Sequence, residues 1–358
     1  MAITIEVPQG EQALREFVLF HDRVYSSRSA HWPAVLELQL PMLTGESPFA
    51  AERQIRPFVA RSGGAVAARA AAVVDQRYMR HWNERLGHIV MFEALPDTQE
   101  ATRLLMDEAC GWLARQGVDA ARTGMGMLDF PYVIDAYEAL PPSLLRQNPA
   151  YYHVLIKHAG FEAEKGFVDY KIQVRPELIE RWRKALDGAQ HAGFTIVPAK
   201  DIPAEGRARV FAELWNETFA THWGWSPFTE DEVALLFAAF EGSGILDTSV
   251  LAYAGDDPIG MLLVTADEPS HATLAPGRVL DDAEKLNILA IGVRQRARGR
   301  GVNYAMAAYA FLELVRRGHT HVSYTLVLDD NWPSRRTGEG LGASLCANYL
   351  AYRRNFRR

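Results

Sequence analysis

Hydrophobic and polar residues along this chain follow two alternating periods. Some segments alternate at every second residue, which is typical of strands, and others place apolar residues three or four apart, which is typical of helices. In the first half, strands are predicted at 57–60, 66–74 and 88–94, with a Gly-Gly pair at the turn of a hairpin between the first two. A helix over 98–115 follows them.

The second half repeats this order of elements. Helices predicted at 204–219 and 229–240 precede a hairpin over 249–265, a strand at 286–293 and a long helix at 302–317. Strands and helices that alternate throughout a chain predict a mixed α/β class rather than a bundle or a sandwich.

The length of 358 residues is about twice that of a usual domain, so two modules are expected. Because the two halves share one order of elements, we expect related modules at 1–175 and 194–358. A linker helix starting at Pro176, which suits the first turn of a helix, joins them within 176–193.

Composition narrows the function classes. Apolar residues make up 48% of the chain, charged residues 23%, and the net charge of −6 argues against a general nucleic-acid binder. The two cysteines, Cys110 and Cys346, lie far apart in apolar segments, so we expect reduced, buried thiols and neither disulfides nor a cysteine zinc site. No signal peptide is visible and apolar runs are too short to span a bilayer, so a cytoplasmic protein is expected.

The most informative segment joins the strand at 286–293 to the next helix. It reads Arg294-Gln295-Arg296-Ala297-Arg298-Gly299-Arg300-Gly301. The amides at a helix N-terminus bind anions, and the glycines let the backbone approach a phosphate closely. Tyr304 replaces the third glycine of a Rossmann fingerprint, and a Gly-Lys-Ser/Thr sequence is missing, so neither the Rossmann nor the P-loop motif fits.

This segment resembles motif A of the GNAT superfamily of acyl-CoA N-acyltransferases. Downstream, Asn331-Trp332-Pro333-Ser334-Arg335-Arg336 and Glu339-Gly340-Leu341-Gly342-Ala343 are similar to the family's motif B. The resemblance covers about residues 284–353 and implies a GNAT fold with a mixed sheet. It also implies that coenzyme A binds to this half through Leu289, Ile291, Val293, Arg296, Arg298, Gly299, Arg300, Gly301, Asn331 and Ser334.

The first half is similar to the N-terminal module of two-module GNAT proteins. The similarity is carried by Asn148-Pro149-Ala150-Tyr151-Tyr152 and by His158-Ala159-Gly160-Phe161-Glu162. Its loop before the helix reads Pro96-Asp97-Thr98-Gln99-Glu100-Ala101, without glycine and with two carboxylates that repel phosphate. We expect this module to be structural or to shape the acceptor pocket.

The resemblance implies that an acceptor amine attacks the thioester directly. The tyrosine that frequently acts as general acid in this family is replaced by Gly338. Tyr324 is the candidate to replace it as the general acid, and the alternative is that Tyr324 only packs in the core. Glu284 is the preferred general base, and the alternative is that it is a solvated residue at the end of a strand. His222 is a further candidate in the acceptor region. Trp223 and Trp225 are candidates to line the binding site of an apolar or aromatic acceptor. The alternative is that they fill a hydrophobic contact between the modules.

No metal site is predicted, since His319 and His321 lack a matching third ligand. The sequence therefore predicts an N-acyltransferase that uses acetyl-CoA or another acyl-CoA and acts on the amine of a small molecule. Two alternatives stay open, a tandem GNAT transferase that takes an aminoacyl group from tRNA and a non-catalytic acyl-CoA-binding protein.

Overall fold

The computed structural model describes residues 2–356. The first half contains β1 Ile3–Glu6, α1 Gly10–Tyr25, β2 Ala30–His31, α2 Leu36–Thr44, β3 Arg53–Ser62, β4 Ala65–Asp75, α3 Gln76–Trp82, β5 Leu86–Ala94, α4 Gln99–Arg115, β6 Ala120–Thr123, β7 Tyr132–Val133, α5 Tyr152–His158 and β8 Glu162–Gln173. The second half contains α6 Pro176–His191, β9 Thr195–Pro198, α7 Ala204–Thr218, α8 Glu230–Ala239, α9 Ile245–Thr248, β10 Val250–Ala254, β11 Asp257–Ala266, β12 Thr273–Leu274, β13 Asn287–Val293, α10 Val302–Arg316, β14 His321–Leu328, α11 Trp332–Gly340 and β15 Ser344–Asn355.

The strands and helices confirm a mixed α/β class. The predicted hairpin of the first half is β3 and β4, with Gly63 and Gly64 at positive φ in its turn. The predicted helix after β5 is α4, and the helix from Pro176 extends to His191 as α6. The pattern did not predict α2, because Pro41 lies inside that helix and weakens the helical signal.

Two sheets carry most of the strands. The larger has nine strands, in the order β1-β3-β4-β5-β6-β15-β8-β14 with β7 paired to β15, and the smaller has the order β13-β11-β10-β9. Helices α4 and α5 pack on β3 to β6 of the first half. Helices α6 and α10 cover one face of the second half, and α7 and α8 cover the other.

Strands from the two halves alternate within the larger sheet. The C-terminal strand β15 lies between β6 and β8, and β8 lies between β15 and β14. The predicted boundary near residue 175 falls directly after β8. Because β8 pairs with β14 and β15 of the second half, the two halves share one hydrogen-bonded sheet. The predicted division therefore describes the order of elements along the chain and not two separate sheets.

The cysteines differ from each other in burial. Cys110 is buried on α4, as predicted, and burial raises the pKa of its thiol to about 12. Cys346 is exposed, so the prediction of a buried thiol is wrong for it, because the first three residues of β15 are exposed.

A buried ion cluster fastens α8 to the first half. Glu232 is fully buried and accepts hydrogen bonds from Arg53 Nη1 at 2.6 Å and from Arg77 Nη1 at 2.8 Å. Arg53 also donates through Nε to Asp75 at 2.7 Å. A buried charge is tolerated only when it is paired, so each member of this cluster depends on the others.

Replacing Glu232 by Ala leaves the buried guanidinium of Arg77 without its carboxylate partner and that of Arg53 with Asp75 alone. We expect the free energy of unfolding to fall by about 3–5 kcal/mol, measured by chemical denaturation. Glu230→Ala, at an exposed position of the same helix turn, is the control and is expected to cost at most about 1 kcal/mol. Equal losses in the two variants would contradict a structural role for this cluster.

Candidate active site

The two sheets separate between β13 and β14. The Asn287 side chain accepts a hydrogen bond from the Ser323 amide at 2.7 Å and donates one to the Ser323 carbonyl at 3.0 Å. The Leu289 amide donates to Thr325 Oγ1 at 3.1 Å. Side chains thus replace the backbone ladder and hold the strands apart. No hydrogen bond joins the described parts of the two strands beyond Leu289 and Thr325, so a gap opens there.

The bend that leads from β13 into α10 lies beside this gap. Gly299 and Gly301 both have φ near +77°, a conformation that residues with a side chain rarely adopt. A Cβ on either glycine would meet no described atom within 4 Å. Gly301 is the N-cap of α10 and has no side chain with which to cap the helix, so the first amides of a 15-residue helix face open space. This end of the helix favours an anion.

The arginines of the bend differ in their partners. Arg296 pairs with Asp257, whereas Arg298 and Arg300 donate only to the neutral carbonyls of Val293 and Ala192, at 3.1 and 2.7 Å. Neither Arg298 nor Arg300 forms an ion pair within residues 2–356. Their two positive charges therefore add to the field at the start of α10.

The predicted cofactor residues of β13 are not equally free. Leu289 exchanges hydrogen bonds with Thr325, and the carbonyl of Val293 accepts from Arg298. Backbone groups two residues apart in a strand point to the same edge, so Ile291 also points into the gap. Its amide and carbonyl, together with the amide of Val293, are left to pair with a ligand.

The segment after β14 places polar groups at the other side of the gap. Asn331 caps α11 by accepting from the Ser334 amide at 3.3 Å, and Ser334 Oγ lies 3.0 Å from the Tyr324 hydroxyl. All three residues line one cavity. The structure therefore brings together the predicted residues Tyr324, Asn331 and Ser334.

Tyr324 also packs directly against Gly338. A Cβ at Gly338 would lie 3.1 Å from Tyr324 Cδ1, so the small residue makes room for the ring. Burial raises the pKa of Tyr324 to about 12, so its hydroxyl keeps its proton at neutral pH. Tyr324 thus lies next to position 338, where the expected tyrosine is replaced by glycine.

The cavity at the gap has a volume of about 260 Å³ and reaches from the second half into the first. Its walls are mostly apolar and come from β13, β14, α7, α8 and the first-half segment 125–130, and we call it the chamber. Representative lining residues are Ala290, Leu326, Trp215, Leu236, Met127 and Phe130.

Two of the three predicted acceptor-site residues line the chamber. His222 does so, and burial lowers the pKa of its imidazole, so the ring is neutral and able to accept a proton at neutral pH. Trp225 lines it too and stacks on Trp215, with ring centroids 4.9 Å apart. Trp223 packs elsewhere, against Phe167 and on the guanidinium of Arg122 at 4.2 Å.

Glu284 does not line the chamber. Its carboxylate accepts from the Asp281 amide at 2.9 Å and pairs with Arg278, so it caps a short helical turn. His319 and His321 contact a backbone carbonyl and Thr320. Within residues 2–356 no group of three His, Cys, Asp or Glu side chains is arranged to hold a metal, and none of the described helices is long and apolar enough to cross a membrane.

The corresponding region of the first half is closed. Strands β5 and β6 form a parallel backbone ladder over four residue pairs, from Leu86 with Ala120 to Ile89 with Thr123. Asp97 lies in the loop before α4, and Glu100 lies in the first turn of α4, where Arg103 binds its carboxylate at 2.7 Å. This part of the chain therefore lacks both the side-chain spacers and the glycine bend of the second half.

Several residues of the site were not predicted. Asn287 and Thr325 carry no motif, although a polar residue inside a buried strand is a signal that sequence alone provides. His88 lines the chamber from the first half with both ring nitrogens unpaired among the described residues, and burial lowers its pKa to about 3. Its place in the wall of the chamber follows only from the folded chain.

Asp169 on β8 supports the wall of the chamber. Its carboxylate accepts from the Leu326 amide at 2.6 Å and from the Tyr349 hydroxyl at 3.1 Å. Leu326 has φ of +49° at an irregularity of β14, so the bond fixes a strained residue that lines the chamber. Burial raises the pKa of Asp169 to about 7.

Comparisons with known proteins place the chain among distant relatives. No protein-family model matches the sequence. The chain is 20% identical over 226 residues to Protein YghO of Escherichia coli and 20% identical over 229 residues to a bacterial ceramide synthase of Caulobacter vibrioides. Each match covers 62% of this chain, and 58% and 59% of the two relatives, so the chain spans less than two thirds of their length.

Solved structures are similar over nearly the whole chain. A tandem GNAT protein from the clavulanic acid biosynthesis pathway superposes with a TM-score of 0.60 at 13% identity, covering 99% of this chain and 98% of that one. A GCN5-related glucosamine N-acetyltransferase region of a fungal multi-domain β-N-acetylglucosaminidase gives 0.59 at 17% identity, covering 98% of this chain and 38% of that one. The chain therefore has the tandem GNAT fold, which confirms the predicted fold.

Because the pKa of Asp169 is raised by folding, its ionisation destabilises the folded state. The unfolded chain releases this proton near pH 4 and the folded chain near pH 7, so stability falls as pH rises between them, by up to about 1.4 kcal/mol per pH unit. We expect Asp169→Asn to remove this fall and to be more stable than the wild type at pH 8. Urea denaturation from pH 4.5 to 8 measures it. The exposed control Asp231→Asn should keep the wild-type slope, and a wild-type slope in Asp169→Asn would contradict the assignment.

Proposed function

We propose that this chain, which has the tandem GNAT fold, transfers an acyl group from acyl-CoA to the amine of a small molecule. One observation carries the proposal: an open glycine bend with two uncompensated arginines lies beside a gap between strands, and the gap leads into the chamber. A diphosphate donor and a second substrate can therefore approach the same point from different sides.

The residues at the bend fit the acyl donor. Arg298, Arg300 and the first amides of α10 would hold the diphosphate of coenzyme A. The backbone of Ile291, with Asn331 and Ser334, would hold the amide-containing arm. When bound, the donor supplies a thioester, whose acyl carbon is activated toward an amine. Acetyl-CoA and longer acyl-CoA molecules share these contacts.

Two side chains of the chamber supply the proton transfers. The neutral imidazole of His222 accepts the proton that the amine loses as its nitrogen bonds to the acyl carbon. The carbon–sulfur bond breaks, and Tyr324, which keeps its proton at neutral pH, donates that proton to the leaving sulfur. We assign the base to His222 because the carboxylate of Glu284 is already bound by Arg278 and the Asp281 amide. Glu284 stays the alternative.

The comparisons support acyl transfer to nitrogen. The similar fungal structure is named an N-acetyltransferase, and one distant relative is named a ceramide synthase. The first half contributes a wall of the chamber and has no second glycine bend, which supports a single donor site in the second half. The predicted role of the first half, to shape the acceptor pocket, is part of this proposal.

Gly301→Asp tests the donor site. The new carboxylate would stand at the start of α10, where it repels a diphosphate, so we expect coenzyme A affinity to fall at least about tenfold, measured by calorimetry. Thiol release from acyl-CoA with a panel of amines should fall in parallel.

Gly277→Asp is the matched control for this variant. Gly277 has φ of +80° and, like Gly301, open space around its Cβ position among the described atoms, so both variants carry the same strain and the same added charge. Equal affinities in the two variants would contradict the donor site. Protection from thermal unfolding by tRNA and not by acyl-CoA would replace the proposal by the tRNA-dependent alternative. If acyl-CoA binds but no amine causes thiol release, the proposal would be replaced by the alternative of a non-catalytic acyl-CoA-binding protein.

Tyr324→Phe tests the proton donor. Removing the hydroxyl should lower kcat about 100-fold while the KM for acyl-CoA changes by less than about twofold, because the hydroxyl acts on the leaving sulfur and not on the donor's diphosphate. Thiol release under saturating amine measures both constants. Tyr309→Phe, on α10 outside the chamber lining, is expected to keep the wild-type kcat. An unchanged kcat in Tyr324→Phe would remove this residue from the mechanism.

A further inference from the structure

The chamber is much larger than the transfer of a two-carbon group requires. Its volume is about 260 Å³, whereas a cavity of about 150 Å³ is enough to hold benzene. At about 30 Å³ for each water-sized or methylene-sized group, the chamber has room for roughly eight or nine such groups. The arm of the donor, held at Ile291, Asn331 and Ser334, takes the part of this space beside the gap. A further apolar group is needed to fill the part walled by α7, α8 and the first-half segment 125–130 if that part is to stay free of water.

The walls of the chamber are apolar and carry no uncompensated charge. Leu236 and Phe240, at α8, and Met127 belong to wall segments from the two halves of the chain. The charged groups at its first-half side are all paired, since Arg53 is bound to Asp75 at 2.7 Å and Asp129 to Arg146. A charged group of a ligand would find no free counter-charge there, whereas an alkyl chain would be favoured by every apolar surface it covers.

Unpaired polar atoms distinguish the chamber from a packing defect. The ring nitrogens of His88, the indole nitrogens of Trp215 and Trp225, and Thr265 Oγ1 have no hydrogen-bond partner within residues 2–356, and all four residues line the chamber. Leaving such atoms unpaired destabilises a fold, so they favour a ligand that brings a few neutral hydrogen-bonding groups. A mostly aliphatic molecule with a hydroxyl, carbonyl or amide group has this chemistry.

We propose that the chamber binds an alkyl chain of up to about eight carbons that belongs to one of the two substrates. The inference rests on the proposed function and narrows its substrate class. The chain has two possible sources, the acyl group of the donor and the body of the amine acceptor. Both present the same aliphatic surface to the chamber.

Two series of substrates test the proposal and separate the sources. In one series the acyl-CoA lengthens from two to twelve carbons with a fixed short amine. In the other a straight-chain primary amine lengthens over the same range with acetyl-CoA fixed. All are used below their micelle-forming concentrations. We expect kcat/KM in one series to rise about threefold to fourfold per methylene up to about eight carbons. The series that rises identifies the molecule that carries the chain.

Binding is measured in parallel by calorimetry, so that the result does not depend on turnover. If the dissociation constant falls with chain length but no thiol is released, the result would support alkyl-chain binding in the chamber and reject the proposed acyl transfer. Thiol release and binding that are independent of chain length in both series would overturn the inference and leave the proposed transfer intact.

Two variants locate the chain in the chamber. Ala290→Phe fills part of the chamber and should lower the ratio of twelve-carbon to two-carbon kcat/KM at least about tenfold. Ala163→Phe, at an exposed position of strand β8, is the matched control and should keep the wild-type ratio.

Phe240→Ala covers the case in which Ala290→Phe does not fold. Phe240 lies between the chamber and a neighbouring cavity of about 150 Å³, so its truncation should move the optimum to longer chains. Wild-type chain-length profiles in both variants would place the alkyl chain outside the chamber and overturn the inference.

Discussion

The separation of β13 from β14 is the constraint on which the rest of the site depends. Two neighbouring parallel strands would normally form a backbone ladder, as β5 and β6 do in the first half. Here the side chains of Asn287 and Thr325 satisfy the facing backbone groups, so the strands stay apart without leaving those groups unpaired. The gap, the free backbone of Ile291 and the mouth of the chamber all follow from this substitution of side chain for backbone.

The gap gains its chemistry from elements that meet there for other reasons. Strand β13 ends at the bend before α10, whose glycines expose amides and whose arginines add charge. Strand β14 leads to α11, where Gly338 leaves room for Tyr324. The first half closes the far side of the chamber, and the buried cluster around Glu232 fixes α8 against it. A chain reduced to residues 194–358 would therefore lack a wall of the chamber.

The sequence predicted what local patterns determine. The α/β class, the longer strands with the helices α4, α6 and α10, and the bend at Gly299 and Gly301 follow from periodicity and from the special conformations of glycine, whereas α1 to α3 were not predicted. The shared sheet was not predicted, because the pairing of β15 with β6 joins residues more than 200 positions apart. Long-range pairing of this kind leaves no local signal in one sequence.

The site shows the same division. Asn331 and Ser334 were named from a motif and Tyr324 from the strand before it, and the three do lie together, since they belong to consecutive elements. Glu284 was chosen for its position beside a strand, but its carboxylate caps a helical turn. The sequence alone does not distinguish a capping carboxylate from one that is free to act as a base. Beyond Tyr324 and the predicted cofactor residues, the chamber was predicted only through Trp225 and His222, because its remaining walls are mostly apolar residues whose meeting depends on the whole fold.

Hydrogen–deuterium exchange with and without coenzyme A tests the central claim most directly, because it reports the backbone amides that the gap and the bend expose. The account predicts slower exchange in the presence of the ligand at residues 298–304 and at Ile291, with no change at residues 97–101 of the first half. Unchanged exchange at the start of α10, or protection confined to residues 97–101, would contradict it.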